Sequence, residues 1–139
     1  MKNLANCKPT EFLKQTNRIR KAVEKWLTDT DIMNIRRTIP EFEKIDDDAD
    51  AETTREIAKR NREKRREQTR KNFSRIMDAI MEEHPDETLE LLALLCFVEP
   101  KDVDKHTMDE YFTAISEMLG SEAVIGFFSS LTKWGLLNT

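Results

Sequence analysis

The chain has 139 residues and a mass of 16.3 kDa; 38% of its residues are hydrophobic and 36% charged, with a formal net charge of −4. That size fits one small domain with solvated extensions and excludes a large enzyme. All three glycines, Gly120, Gly126 and Gly135, fall in the last 20 residues and none has phosphate-loop spacing, which excludes folds that cradle a nucleotide on a glycine-rich turn.

Taken from the N-terminus, Pro9-Thr10 opens a first helix that runs to about Leu27, with Thr10 as cap and Glu11 in the first turn. Phe12, Ile19, Val23 and Trp26 recur at helical steps and make one buried face, while Lys14, Arg18, Lys21 and Lys25 occupy the other. A short second helix, Asp31 to about Arg37, precedes Pro40, so residues 1–40 read as an N-terminal helical hairpin. Residues 41–52 hold too little apolar surface and too much like charge to pack, and read as a flexible acidic linker. Residues 53–139 read as a long helix leading into a C-terminal bundle.

Asp50 or Thr53 caps that long helix, which continues to about Glu83. From Lys59 to Asn72 it has no large apolar residue and is expected to project into solvent. From Phe73 the stripe of Phe73, Ile76, Met77, Ile80 and Met81 commits it to a core before His84-Pro85 ends it. Asp86 is expected to cap an apolar helix from Leu89 to Val98 at the bundle's centre. Thr107-Met108-Asp109-Glu110 has the capping-box pattern and starts a helix ending at Gly120, and Ser121 starts another that ends at Gly135. No segment alternates as a strand does. The fold class is all-α: a small helical bundle with an N-terminal hairpin and one long charged helix.

Charge is segregated along the chain. Residues 1–40 carry nine basic against four acidic groups, 41–54 one against seven, 55–75 ten against three, and 76–139 three against thirteen. Such blocks bear on partners and solubility.

The residues offer no catalytic, cofactor-binding or metal-binding constellation, and no enzyme activity is expected. Cys7 and Cys96 have neither paired spacing nor a histidine cluster, which points to a reducing cytoplasm. His84 and His106 stand apart and read as turn residues; Glu99, Asp102 and Asp104 lack the glycine and closing glutamate of a calcium loop. The longest apolar run, Leu91 to Val98, is eight residues against the roughly 20 that cross a membrane. Leu4-Ala5-Asn6-Cys7 has the outline of a lipoprotein box, but no apolar stretch precedes it, so neither a targeting signal nor a membrane partner is expected.

Two surfaces remain as binding candidates. Phe127, Phe128, Leu131 and Trp134 exceed what one helix face can bury, and form a groove or tail for an apolar helix of another protein; the Phe12, Ile19, Val23 and Trp26 face is the second choice. The basic stretch 55–75, above all Arg62, Arg65, Arg66 and Arg70, suits nucleic-acid phosphates as the alternative. Interspersed glutamates, acidic flanks and the lack of aromatics from Arg55 to Asn72 weigh against that alternative and favour a solvated spacer, with a protein-docking face as the next reading.

The opening Leu4-Ala5-Asn6-Cys7-Lys8-Pro9-Thr10-Glu11-Phe12-Leu13 and Gln15-Thr16-Asn17-Arg18-Ile19-Arg20 resemble the tail assembly chaperones of long-tailed, siphovirus-type bacteriophages and prophages of Gram-positive bacteria. So do Leu91-Leu92-Ala93-Leu94-Leu95, Val103-Asp104, Thr107-Met108-Asp109-Glu110 and Phe127-Phe128. The resemblance implies a helical, non-catalytic protein of the host cytoplasm that binds the tape-measure protein during tail assembly, with tail-tube subunits as a second candidate partner. It transfers no active-site residue. The charged stretch Glu52 to Asn72 departs from the family's compact form, and a long exposed helix suits self-association by helix exchange.

Overall fold

Prolines and caps delimit the helices, and the computed structural model, which describes residues 1–133, is helical with no strand among the described residues. The chain is all-α. Helix α1 spans Pro9–Thr30, α2 Ile32–Arg37, α3 Ala51–Asp78, α4 Pro85–Leu95, α5 Met108–Leu119 and α6 Glu122–Lys133. A π-type turn, Ala79–Glu83, extends α3, and a 3-10 turn, Pro100–Lys105, links α4 to α5.

Contacts divide the chain into two compact units, Met1–Trp26 with Asp86–Thr139, and Leu27–Pro85. This grouping differs from the segments 1–40, 41–52 and 53–139. The apolar face of α1 supplies Phe12 and Ile19 to a cluster around buried Leu4, Met118 and Val124, whereas α2 packs on α3.

In the first unit, side chains of the N-terminal segment do what a helix would otherwise do for its backbone. Asn3 is 1% exposed; its Oδ1 accepts the Ala5 N–H at 2.7 Å, and its Nδ2 donates to the Glu117 carboxylate at 3.4 Å. Leu4 is thereby held in the core. Glu11, rather than Thr10, serves the start of α1: its carboxylate accepts the Lys8 N–H at 3.2 Å and pairs with Lys2, which holds its carboxyl below the usual range. A second cluster joins Cys96, Tyr111 and Ala114, with Leu92, Val98 and Ile115 against it. The Tyr111 hydroxyl donates to the Val103 carbonyl at 2.7 Å and so ties the 3-10 turn to α5.

Helix α4 starts at Pro85, so Asp86 lies in its first turn and is not its cap; proline at the first helical position loses only an N–H that no helix would bond. The helix also stops at Leu95, short of Val98. Phe97 has φ 57°, the Val98 N–H donates to the Ala93 carbonyl at 2.9 Å and the Phe97 N–H to Leu94 at 3.4 Å, the pattern of a Schellman end. Gln15, buried on α1, donates to the same Leu94 carbonyl at 2.5 Å. At the start of α5 the capping box is half made. Thr107 Oγ1 accepts the Glu110 N–H at 3.2 Å, but the Glu110 carboxylate turns to His106 Nδ1 at 2.7 Å.

In the second unit, Asp50 caps α3, its side chain accepting the Thr53 N–H at 2.6 Å. Residues 41–52 are not uniformly free as expected of a linker. The Asn61 side chain takes both backbone groups of Glu43, accepting from its N–H at 2.9 Å and donating to its carbonyl at 3.1 Å. Asn72 donates to the Thr38 carbonyl at 2.9 Å, Arg60 pairs with the Glu43 carboxylate at 2.8 Å, and the Arg65 guanidinium lies 5.3 Å from the Phe42 ring centre. An extended strap, residues 38–43, therefore lies along the charged half of α3, where the sequence predicts projection into solvent. The expected Phe73-to-Met81 stripe is split. Ala79 is buried and Ile76, Met77 and Ile80 are half-buried, but Phe73 and Met81 are more than three-fifths exposed. A π-type turn, closed by the His84 N–H on the Ala79 carbonyl at 3.0 Å, adds a residue to the last turn of this helix.

Candidate functional site

The first unit carries an apolar corner built from α1, α5, α6 and the N-terminal segment. Helix α6 forms because Ser121 offers its Oγ to the Val124 N–H at 3.4 Å and Glu122 stands in the first turn, and it buries Val124. Helical spacing then puts Phe127 and Phe128 on the two sides of Val124. Phe127 meets Phe12 edge-to-face, ring centres 5.1 Å apart and planes at 88°, and Phe128 stands 5.3 Å from Phe127 at 79°.

Two open recesses flank this helix. One, of about 350 Å³, is lined by Leu4, Ile19, Leu95, Leu119, Ile125 and Phe128. The other, of about 420 Å³, is lined by Leu4, Cys7, Phe12, Leu13, Val124 and Phe127. Their rim is oily: Leu13 and Leu119 are 63% and 64% exposed, Ile125 52% and Phe128 36%. Scattered apolar side chains are ordinary on a surface, but a cluster around a groove is the form a helix-binding site takes.

Of the residues expected to contact a partner, Phe12, Ile19, Phe127 and Phe128 come together here. Leu131 is half-buried farther along α6, and Trp134 lies outside the described residues. Val23 and Trp26 are half-buried and line neither recess; the Trp26 indole N–H donates to Thr88 Oγ1 on α4 at 3.0 Å. Sequence reading missed Leu4, Leu13, Leu119 and Ile125. The signal for three of them was present, since Leu13, Leu119 and Ile125 widen apolar stripes beyond what one core contact covers.

Two of the polar residues that invited chemistry, Asp102 and His106, have structural partners. Asp102 pairs with Lys105 at 2.9 Å, which holds its carboxyl below the usual range, and His106 bonds to Glu110 and meets Tyr111 edge-to-face. Burial pushes both cysteine thiols up, Cys96 from within the second cluster and Cys7 from the wall of the larger recess. Among the described residues no group of three or more His, Cys, Asp or Glu could hold a metal ion, and no helix is long and apolar enough to cross a membrane.

The second unit offers the basic candidates. Arg62, Arg65 and Arg66, with Thr69, border a shallow recess of about 350 Å³ on α3. Arg65 lies over Phe42, and Arg70 pairs with Glu67 at 3.4 Å. No protein-family model, curated protein or solved structure matches the chain.

Proposed function

We propose that this chain is a non-catalytic assembly chaperone whose apolar corner shelters a helix of a long, aggregation-prone client. The resemblance names that client as the tape-measure protein of a long-tailed bacteriophage, in the host cytoplasm, with tail-tube subunits as further clients. One observation carries the reading: exposed Leu119, Ile125 and Phe128 rim an open recess whose floor is Leu4, Ile19 and Leu95. Burying apolar surface contributes about 25 cal/mol per Å², so a client helix presenting apolar residues three and four apart gains most by lying across this rim. Acidic excess over residues 76–139 favours a client helix with basic flanks and keeps the pair soluble.

The test is co-expression of the chain with the tape-measure protein of the same genome. The native chain should keep that protein soluble and co-purify with it. Phe128→Asp combined with Leu119→Asp changes exposed side chains only, and should abolish capture while circular dichroism stays helical. Undiminished capture by that variant overturns the assignment, and so does a groove that serves only to pair two copies of this chain, seen as dimers that the variant dissociates with no client bound.

A further inference from the structure

The glutamates of α3 are gathered on one face, which the linear sequence conceals. Successive residues turn by about 100° around a helix. On that geometry Asn61, Lys64, Gln68 and Asn72 share the seam under the strap, and Glu52, Glu56, Glu63 and Glu67 share a second face. Arg55, Lys59, Arg62, Arg66, Thr69 and Phe73, at steps of four and three, share a third face with no carboxylate on it. All six are exposed, Phe73 most usefully, with 63% of its surface open. Among the described residues no ion pair engages Lys59, Arg62 or Arg66.

We infer that this stripe binds single-stranded nucleic acid, its phosphates along Arg55, Lys59, Arg62 and Arg66 and a base stacked on Phe73. The cations recur once per turn over about 16 Å, each able to displace condensed counterions from a phosphate backbone. The stripe offers an acidic protein no large apolar side chain before Phe73, so such a partner would be held by surface ion pairs alone, which are weak. A single strand gains more, because its unstacked bases reach an exposed ring that duplex bases cannot. The glutamates between the arginines in sequence lie on the adjoining face, Glu63 four residues from Lys59 and three from Arg66, so they offset part of the stripe's charge without interrupting it. The missing aromatic is supplied one residue beyond Asn72.

Fluorescence anisotropy of the full chain with a labelled single-stranded oligonucleotide, between ~50 and ~200 mM salt, tests the inference. Affinity should fall as salt rises. Arg62→Gln with Arg66→Gln should flatten the logarithmic salt slope by about 1.4, two phosphates at ~0.7 each. Phe73→Ala should weaken single-strand binding roughly tenfold and leave duplex binding unchanged. All three positions are exposed, and circular dichroism checks that the variants fold. An unchanged slope, an indifferent Phe73→Ala variant, or equally tight binding of poly-glutamate overturns it. Phe128→Asp should not alter oligonucleotide binding, so failure here and failure of the chaperone reading are separable.

Discussion

Phe97 shows how a single side chain can be worth a strained backbone. The left-handed conformation costs an L-residue about 1–2 kcal/mol, and glycine is the usual occupant of the position after such a helix end. Phe97 holds it at φ 57° while its half-buried ring packs against the Leu4, Met118 and Val124 cluster and lies 5.2 Å from the Lys2 ammonium. Full burial of a ring of that size contributes about 1.5–3 kcal/mol, so half-burial offsets roughly what the strain costs. Two substitutions separate the terms. Phe97→Ala keeps the strain and loses the packing, and should cost about 1–2 kcal/mol in urea unfolding. Phe97→Gly loses the same packing but relieves the strain, and should be more stable than the alanine variant by about 1 kcal/mol, although glycine is ordinarily the worse of the two. An alanine variant at least as stable as the glycine variant would refute the account.

At the scale of the element, α3 is a charged helix that uses amides where most helices use apolar side chains. Asn61 and Asn72, eleven residues apart and so three turns along one face, grip the backbone of Glu43 and Thr38, and Gln68 between them donates to Asn72 at 2.8 Å. Each such bond contributes about 1 kcal/mol net, and a strap with little apolar area depends on them. Asn61→Ala with Asn72→Ala should therefore speed amide hydrogen exchange in the strap segment, read at the Glu43 N–H, by more than tenfold while α3 keeps its helicity. Exchange in that segment indifferent to both changes would show that Phe42 and Arg60 suffice to hold it.

The same helix marks where sequence reading stops. Element positions were legible because prolines, Asp50, Thr107 and Ser121 punctuate them and apolar spacing fills them. A seam made of Asn61, Gln68 and Asn72 carries no hydrophobic period, so the charged half of α3 read as bare. The recess was legible in part for the same reason: Phe12, Ile19, Phe127 and Phe128 lie on apolar stripes. The place of Leu4 rests on the Asn3 side chain meeting Glu117, a pairing 114 residues apart that no local pattern encodes. The π-type turn Ala79–Glu83 likewise has no sequence signature here.

Over the whole molecule, oil and positive charge are assigned to different compact units, the apolar corner to Met1–Trp26 with Asp86–Thr139 and the arginine stripe to Leu27–Pro85. Binding at the two surfaces draws on different physics, and salt tells them apart. Apolar burial does not weaken as sodium chloride is raised, because it depends on water leaving carbon surface. Phosphate binding by four cations should fall on the order of fifty-fold between ~50 and ~200 mM salt, given a single-strand slope of ~0.7 per contact. A chain loaded with both a client helix and an oligonucleotide should, on stepwise addition of salt, shed the oligonucleotide first and keep the helix. Analytical size exclusion with two labels reads both losses in one titration. Loss of the helix at the same salt step as the oligonucleotide would show that the client is held by charge, and would move its seat from Phe128 and Leu119 to the charged faces of the chain.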